Sequence, residues 1–260
     1  MRSLREALAG DRLVVCLALT HTRTPDVPLV AAAAGCDAVY IDLEHASTSW
    51  DTAAALCVAA AAGGIAALVR LPSHDPDVVA RALDLGAHGV IAPHVRSKAE
   101  AEQLVAAAHF PPLGTRSLAG PNVLTGYAAT RTAERIAVAR EQTVVVAMIE
   151  SVEGVEAAEA IAAVDAVDVL LVGPHDLSAE IGVPGEVEHP LVQDAVARVA
   201  TACRTSGAAF GIAGMRPGAV LGGLVRQGLR FVTAGTDAQL LTEALSARTA
   251  QLRALEGGPA

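Results

Sequence analysis

Short, almost unbroken apolar runs alternate along this chain with Ala-rich stretches of helical spacing. The runs Leu13–Leu19, Ala38–Asp42, Ala66–Arg70, Gly89–Ala92, Val144–Ile149, Val169–Val172, Ala208–Ile212 and Arg230–Ala234 read as strands. Parallel strands covered on both faces lose the polar/apolar alternation of half-exposed ones, and these runs have lost it. Between them, Pro28–Ala34, Asp51–Ala62, Pro76–Leu85, Ala99–Ala108, Val155–Ala163, Pro190–Thr205 and Gly218–Gln227 predict helices. Gly35, Gly86, Gly207 and Gly228 stand just after helices, where glycine accepts the left-handed turn that ends them. No linker or shift in composition divides the chain. The pattern therefore predicts one domain over residues 1–260, an α/β fold built as a (β/α)₈ barrel, with a doubly wound open sheet as the alternative. A short amphipathic helix opens it at Met1–Leu8, and an Ala-rich helix, Leu240–Leu252, closes it. The long excursion from Phe110 to Arg140 reads as an active-site loop followed by a helix near Thr130–Arg140.

Charged groups sit just past the ends of four of these runs. Asp42, Glu44 and His45 follow the second, Arg70 ends the third, Glu150 follows the fifth, and Asp176 follows the sixth through Gly173, Pro174 and His175. Charge at the exit of a buried strand is costly unless it serves a common site, and their spread over several strands favours a closed barrel with one rim. Glu150 and Asp176 form the strongest pair: two converging carboxylates invite a divalent cation such as Mg²⁺, Mn²⁺ or Co²⁺ and leave positions for a bidentate substrate. A salt bridge, or Asp176 as a helix cap, is the plainer alternative. Arg70 suits a carboxylate or carbonyl oxygen, or an internal ion pair with Asp42 or Glu44. His45 turns into the loop as a candidate general base. His94 and His175 also follow strands and are lesser candidates; His21, His74, His88, His109 and His189 read as satisfied or surface groups.

Composition narrows the partners. A net charge of −9 speaks against nucleic acid and anionic membrane, both of which reward clustered basic residues. No apolar run approaches the roughly 18 residues that cross a bilayer. Glu6 and Asp11 interrupt any signal-peptide core, so a cytoplasmic protein is expected. Cys16, Cys36, Cys57 and Cys203 show no CxxC spacing and read as buried thiols. Lys98 is the only lysine and opens a helix in a polar context, which nearly excludes Schiff-base catalysis. Neither a GxGxxG nor a GxxxxGK[ST] motif occurs.

Together, the segments Ala34–His45, Val69-Arg70-Leu-Pro72, Leu83–Pro93, Pro111–Ser117, Ile149-Glu150 and Gly173–Ser178 resemble the 4-hydroxy-2-oxoheptanedioate aldolase family, from about Pro25 to Gln239. The resemblance implies a barrel of the phosphoenolpyruvate/pyruvate type. It also implies a metal-dependent class II aldolase that joins or cleaves the bond between a pyruvate enolate, or that of a close 2-oxo acid, and an aldehyde. On that resemblance Glu150 and Asp176 are the metal ligands, and Arg70 contacts the keto oxygen. His45 is the acid/base with Asp84 as orienting partner, and Asp42 and Glu44 lie just behind. Gly173 and Pro174 begin the loop whose amides receive the substrate carboxylate, and the chain assembles as a trimer of dimers. Four departures stand out: Met148 where the family usually has Gln, His175 where a small residue is common, a more polar His21–Pro25 segment, and a shorter Arg116–Tyr127 loop. Two other readings remain: a CoA-thioester lyase of the citrate-lyase β type, which would need a basic rim not visible here, and a non-catalytic 2-oxo acid or metal-binding relative.

Overall fold

In the computed structural model, which describes residues 3–128 and 131–257, eight parallel strands close into a barrel in the order β1 to β8. They are β1 (Val14–Leu19), β2 (Ala38–Asp42), β3 (Ala66–Arg70), β4 (Gly89–Ala92), β5 (Val144–Ile149), β6 (Val169–Val172), β7 (Ala209–Ile212) and β8 (Leu229–Thr236). Helices join consecutive strands, so the alternating sequence pattern is the fold. The open-sheet alternative is excluded because β1 pairs with both β2 and β8.

The strand period of two divides the core. Val39, Ile41, Ala67, Val69, Val145, Ala147, Ile149, Leu170 and Val172 pack outward against the helices. Ala38, Tyr40, Ala66, Leu68, Ile91, Val144, Val146, Met148 and Leu171 fill the barrel interior. Two residues beyond Tyr40, Leu68 and Met148, the inward positions are Asp42, Arg70 and Glu150. The same alternation that builds the core thus delivers the charged groups to one rim, the carboxyl ends of the strands, where barrels place their active sites.

Four details differ from the sequence pattern. The helical stretch after β5 begins earlier, at Val152, because Ser151 caps it by accepting from the Gly154 amide at 3.0 Å, and it divides at Ala157 into two short helices, Val152–Glu156 and Ala158–Ala162. The helix expected near Thr130–Arg140 spans Thr132–Gln142, with Thr130 outside the described residues. The last helix spans Asp237–Ala254. The segment from Phe110 onward is not an active-site loop of its own barrel. It follows a helix and precedes β5, so it lies at the opposite end, where Arg116 stacks on Phe110 at 4.7 Å and pairs with Asp84. All four cysteines are free, and Lys98 faces solvent with Glu102. Among the described residues no helix is long and apolar enough to cross a membrane.

Two histidines tie stability to pH. Burial pushes His88 down to about 4; burial, aided by the charges of Arg5, Arg116 and Arg140, does the same to His109. The unfolded chain takes up protons at these side chains near pH 6.5, which the native state refuses until about pH 4. Stability is therefore fully present above about pH 6.5 and falls as the pH drops through that window, by roughly 2 kcal/mol per histidine at about pH 5. The His88 Nδ1 accepts from the Ala67 amide at 3.2 Å. Urea unfolding of His88→Asn, which keeps an acceptor, is expected to show a shallower loss between pH 7 and pH 5 than the parent. An unchanged slope would remove His88 from the account.

Candidate active site

Arg70 is built into the rim. Its Nε donates to Asp42 Oδ1 at 2.9 Å and one Nη to Asp42 Oδ2 at 2.6 Å; the other Nη lies 3.2 Å from Glu44 Oε2. The guanidinium also stands over the Tyr40 ring, 5.7 Å from its centroid. Burial alone would raise the Asp42 carboxyl, but Arg70 and the amides of His45 and Glu44 outweigh it and hold Asp42 below the usual carboxylate range. The internal ion pair and the ligand-facing role are therefore compatible. Two acids fix the fork, while the side chain stays 12% exposed at the rim.

Glu150 is the opposite case. Its side chain is 2% exposed and no arginine or lysine pairs with it among the described residues. Burial, then the charges of Asp176 and Glu44, raise its carboxyl above the usual range against the contrary pull of His94. Its Oε1 accepts the His94 backbone amide at 2.8 Å, and the His94 Nδ1 lies 2.9 Å from the same oxygen. Oε2 faces Gly173, where an added Cβ would come within 2.7 Å of it and within 2.9 Å of Met148 Cε. Glycine at 173 keeps that side of the carboxylate clear, and Met148 makes the floor apolar.

Asp176 lies exposed in the first turn of the helix Pro174–Ile181, which no side chain caps, so the capping alternative is not realised. Two carboxylates with one clear oxygen, near enough for one to raise the other, suit a hard divalent cation that keeps several waters. Among the described residues no cluster of three or more His, Cys, Asp or Glu forms a ready cage, so such an ion would rest on these two. The amide of Gly173 is already committed to Ile149 O at 3.0 Å, and Pro174 has none. The amides able to receive an anion at this helix start are those of His175 and Asp176. The His175 ring turns toward β7, its Nε2 3.1 Å from Gly214 O.

His45 stands at the rim, 63% exposed, with Nε2 3.6 Å from Glu44 Oε2. Asp84 does not orient it within the chain. Asp84 ends the helix Pro76–Asp84, which runs back toward the start of β4, and its carboxylate bonds Arg116. Only a second copy could bring an Asp84 to this His45.

Sequence reasoning underrated His94 and missed Asp237. His94 Nε2 lies 3.1 Å from Glu44 Oε1, so its ring spans the gap between Glu44 and Glu150. Asp237, directly after β8, accepts from the amides of Thr20, His21 and Thr22 at 3.1, 3.1 and 2.6 Å and from the Thr20 hydroxyl at 2.8 Å. Burial opposes its charge, but these bonds hold its carboxyl far below the usual range. It pins the polar loop after β1 beside the mouth. Both follow strand ends, which was the available signal. Cavities of 490 and 600 Å³ lie elsewhere, at the other end of the barrel, so convergent chemistry and not concavity locates the site.

The chain as a whole is similar to known proteins. The family model described as HpcH/HpaI aldolase/citrate lyase matches residues 20–244. A 4-hydroxy-4-methyl-2-oxoglutarate aldolase of Chaetomium globosum is 38% identical over 82% of this chain and 79% of its own. A hydroxypyruvate/pyruvate aldolase of Chromohalobacter salexigens is 36% identical over 92% of this chain and 93% of its own. The crystal structure of an HpcH/HpaI aldolase from Desulfitobacterium hafniense superposes with a TM-score of 0.90 at 30% identity, covering 100% of this chain and 98% of that one. The match of that family model to most of the chain, together with relatives more than a third identical and a closed parallel barrel, places the chain in the HpcH/HpaI aldolase/citrate lyase family of carbon–carbon lyases.

Proposed function

We propose that this enzyme is a divalent-metal-dependent aldolase whose donor is pyruvate or a close 2-oxo acid. The observation that carries the reading is the pairing of a fixed, acid-clamped Arg70 with a buried Glu150 that has no arginine or lysine partner among the described residues, on one rim. Glu150 and Asp176 would hold Mg²⁺, Mn²⁺ or Co²⁺, which supplies Lewis acidity toward a 2-oxo acid. Arg70 meets the keto oxygen with donors that Asp42 and Glu44 have already oriented, so negative charge developing there finds its partner without rearrangement. The free amides of His175 and Asp176 take the substrate carboxylate. Met148 closes the floor with a methyl group, which suits the small apolar end of pyruvate. His45, exposed at the mouth, moves the proton on the aldol hydroxyl. A pyruvate-type donor is supported by the Chromohalobacter salexigens relative, a hydroxypyruvate/pyruvate aldolase. The helix Asp237–Ala254 buries none of its residues and exposes Leu241, Leu245 and Leu252, which supports assembly with other copies, as in the trimer of dimers that the resemblance implies.

The test avoids choosing an aldehyde. Protein stripped with chelator is incubated with pyruvate in D₂O, and the methyl proton signal is followed by NMR with and without Mn²⁺ or Mg²⁺. Metal-dependent loss of the signal is expected. Full retention with every metal would reject pyruvate as the donor.

A further inference from the structure

The backbone at His94 is left-handed, φ 53°, a conformation that non-glycine residues adopt rarely, with Asn, Asp and His the most tolerant. That turn aims both the amide and the ring of one residue at Glu150 Oε1, at 2.8 and 2.9 Å, and carries Nε2 on to Glu44 Oε1 at 3.1 Å. Glu44 in turn contacts Arg70. A single side chain therefore links the proposed metal-facing carboxylate, through Glu44, to the proposed enolate-facing guanidinium.

We propose that His94 is a positioning residue for the metal site: it occupies Glu150 Oε1 so that Oε2, on the side kept clear by Gly173, is the oxygen presented to the cation, and it ties that carboxylate to the Glu44–Arg70 pair. The inference rests on the metal-dependent reading above and adds a residue to it. Its physical basis is the role of the groups that hydrogen-bond a ligand. A carboxylate free to rotate presents its oxygens in several arrangements, whereas one pinned at a single oxygen is already set for the ion. Losing such a pin typically costs 10–100-fold in metal affinity. The strained turn fits the same account, since an unfavourable φ persists only where surrounding contacts hold it.

The left-handed φ dictates the variants. Ala would add backbone strain, but Gly tolerates this φ and removes both ring contacts while keeping the amide bond to Glu150. Asn also tolerates it and returns a short amide donor near the position of Nδ1, without the reach to Glu44. Mn²⁺ binding to the chelator-stripped protein is measured by the loss of the free-ion EPR signal, with no substrate present. His94→Gly is expected to weaken Mn²⁺ binding by about 10-fold or more, and His94→Asn to restore most of it. In the exchange assay at saturating Mn²⁺, His94→Asn is expected to keep a kcat below the parent's, because the tie to Glu44 is gone. Equal Mn²⁺ affinity in His94→Gly and the parent would overturn the positioning role while leaving the metal reading standing. Failure of the parent itself to bind Mn²⁺ would overturn both, and Glu150→Gln as a non-binding control separates the two cases.

Discussion

Replacing Arg70 by lysine is expected to lower the rate of pyruvate methyl exchange by about 10²–10³-fold, the usual cost of losing one preorganised donor to a developing oxyanion. Lysine keeps the charge but not the fork. A single ammonium cannot bond both oxygens of Asp42, reach Glu44 and still meet a substrate oxygen at a fixed angle. The effect should fall on kcat, because the lost interaction strengthens as the enolate forms. A lysine variant with the parental rate would end the assignment. Arg70→Ala carries a second, structural consequence. It strands Asp42, which is fully buried, beside Glu44, and breaking such a pair from one side costs about 3–5 kcal/mol. The pH dependence has a definite sign. In the parent Asp42 is held below its ordinary value, so its contribution is present above about pH 4 and fades only as the pH falls through the lowered value. Without Arg70, burial dominates and raises the carboxyl, so stability is lost as the pH rises through that raised value. The gap between Arg70→Ala and the parent in urea unfolding should therefore be widest at neutral pH and narrow toward acid. A gap that widens toward acid would contradict the account.

The barrel was legible in the sequence because parallel strands buried on both faces leave continuous runs of Val, Leu, Ile and Ala, and each fell within a few residues of its predicted limits. The inward placement of Asp42, Arg70 and Glu150 was legible for the same reason, since the period of two fixes which side chains share a face. What escaped depends on geometry that no period encodes. His94 acts from a left-handed turn, where side-chain direction follows from one φ value and not from spacing. Asp237 matters because closure brings the end of β8 beside the loop after β1, a contact between residues far apart in sequence. The reading of Asp84 as a partner of His45 came from resemblance alone. Topology could have questioned it, because a residue ending a helix lies at the opposite end of a barrel from one that follows a strand. The same argument, applied in advance, would have placed the segment from Phe110 at the far end.

Glu150→Gln is expected to abolish metal-dependent exchange, by at least about 10³-fold, while making the metal-free protein more stable. The two outcomes have one cause. Glu150 is buried, near Asp176 and Glu44, and its carboxyl is raised by burial and by their charges; the fold holds a negative charge there at a cost. Glutamine keeps the shape and an oxygen to accept the His94 amide, and removes the charge. The gain is on the order of 1 kcal/mol, or about 2–4 °C in the melting temperature of a domain of this size. Mn²⁺ at saturating concentration should raise the melting temperature of the parent, since a ligand that binds only the native state stabilises it, and should leave the variant unmoved. A merely structural acid would give the reverse pattern: its loss would lower the melting temperature and leave the metal response intact. A variant that is inactive, unresponsive to Mn²⁺ and more stable than its parent would identify Glu150 as a residue kept for the cation it binds; a destabilised variant that still responds to Mn²⁺ would place the ion elsewhere.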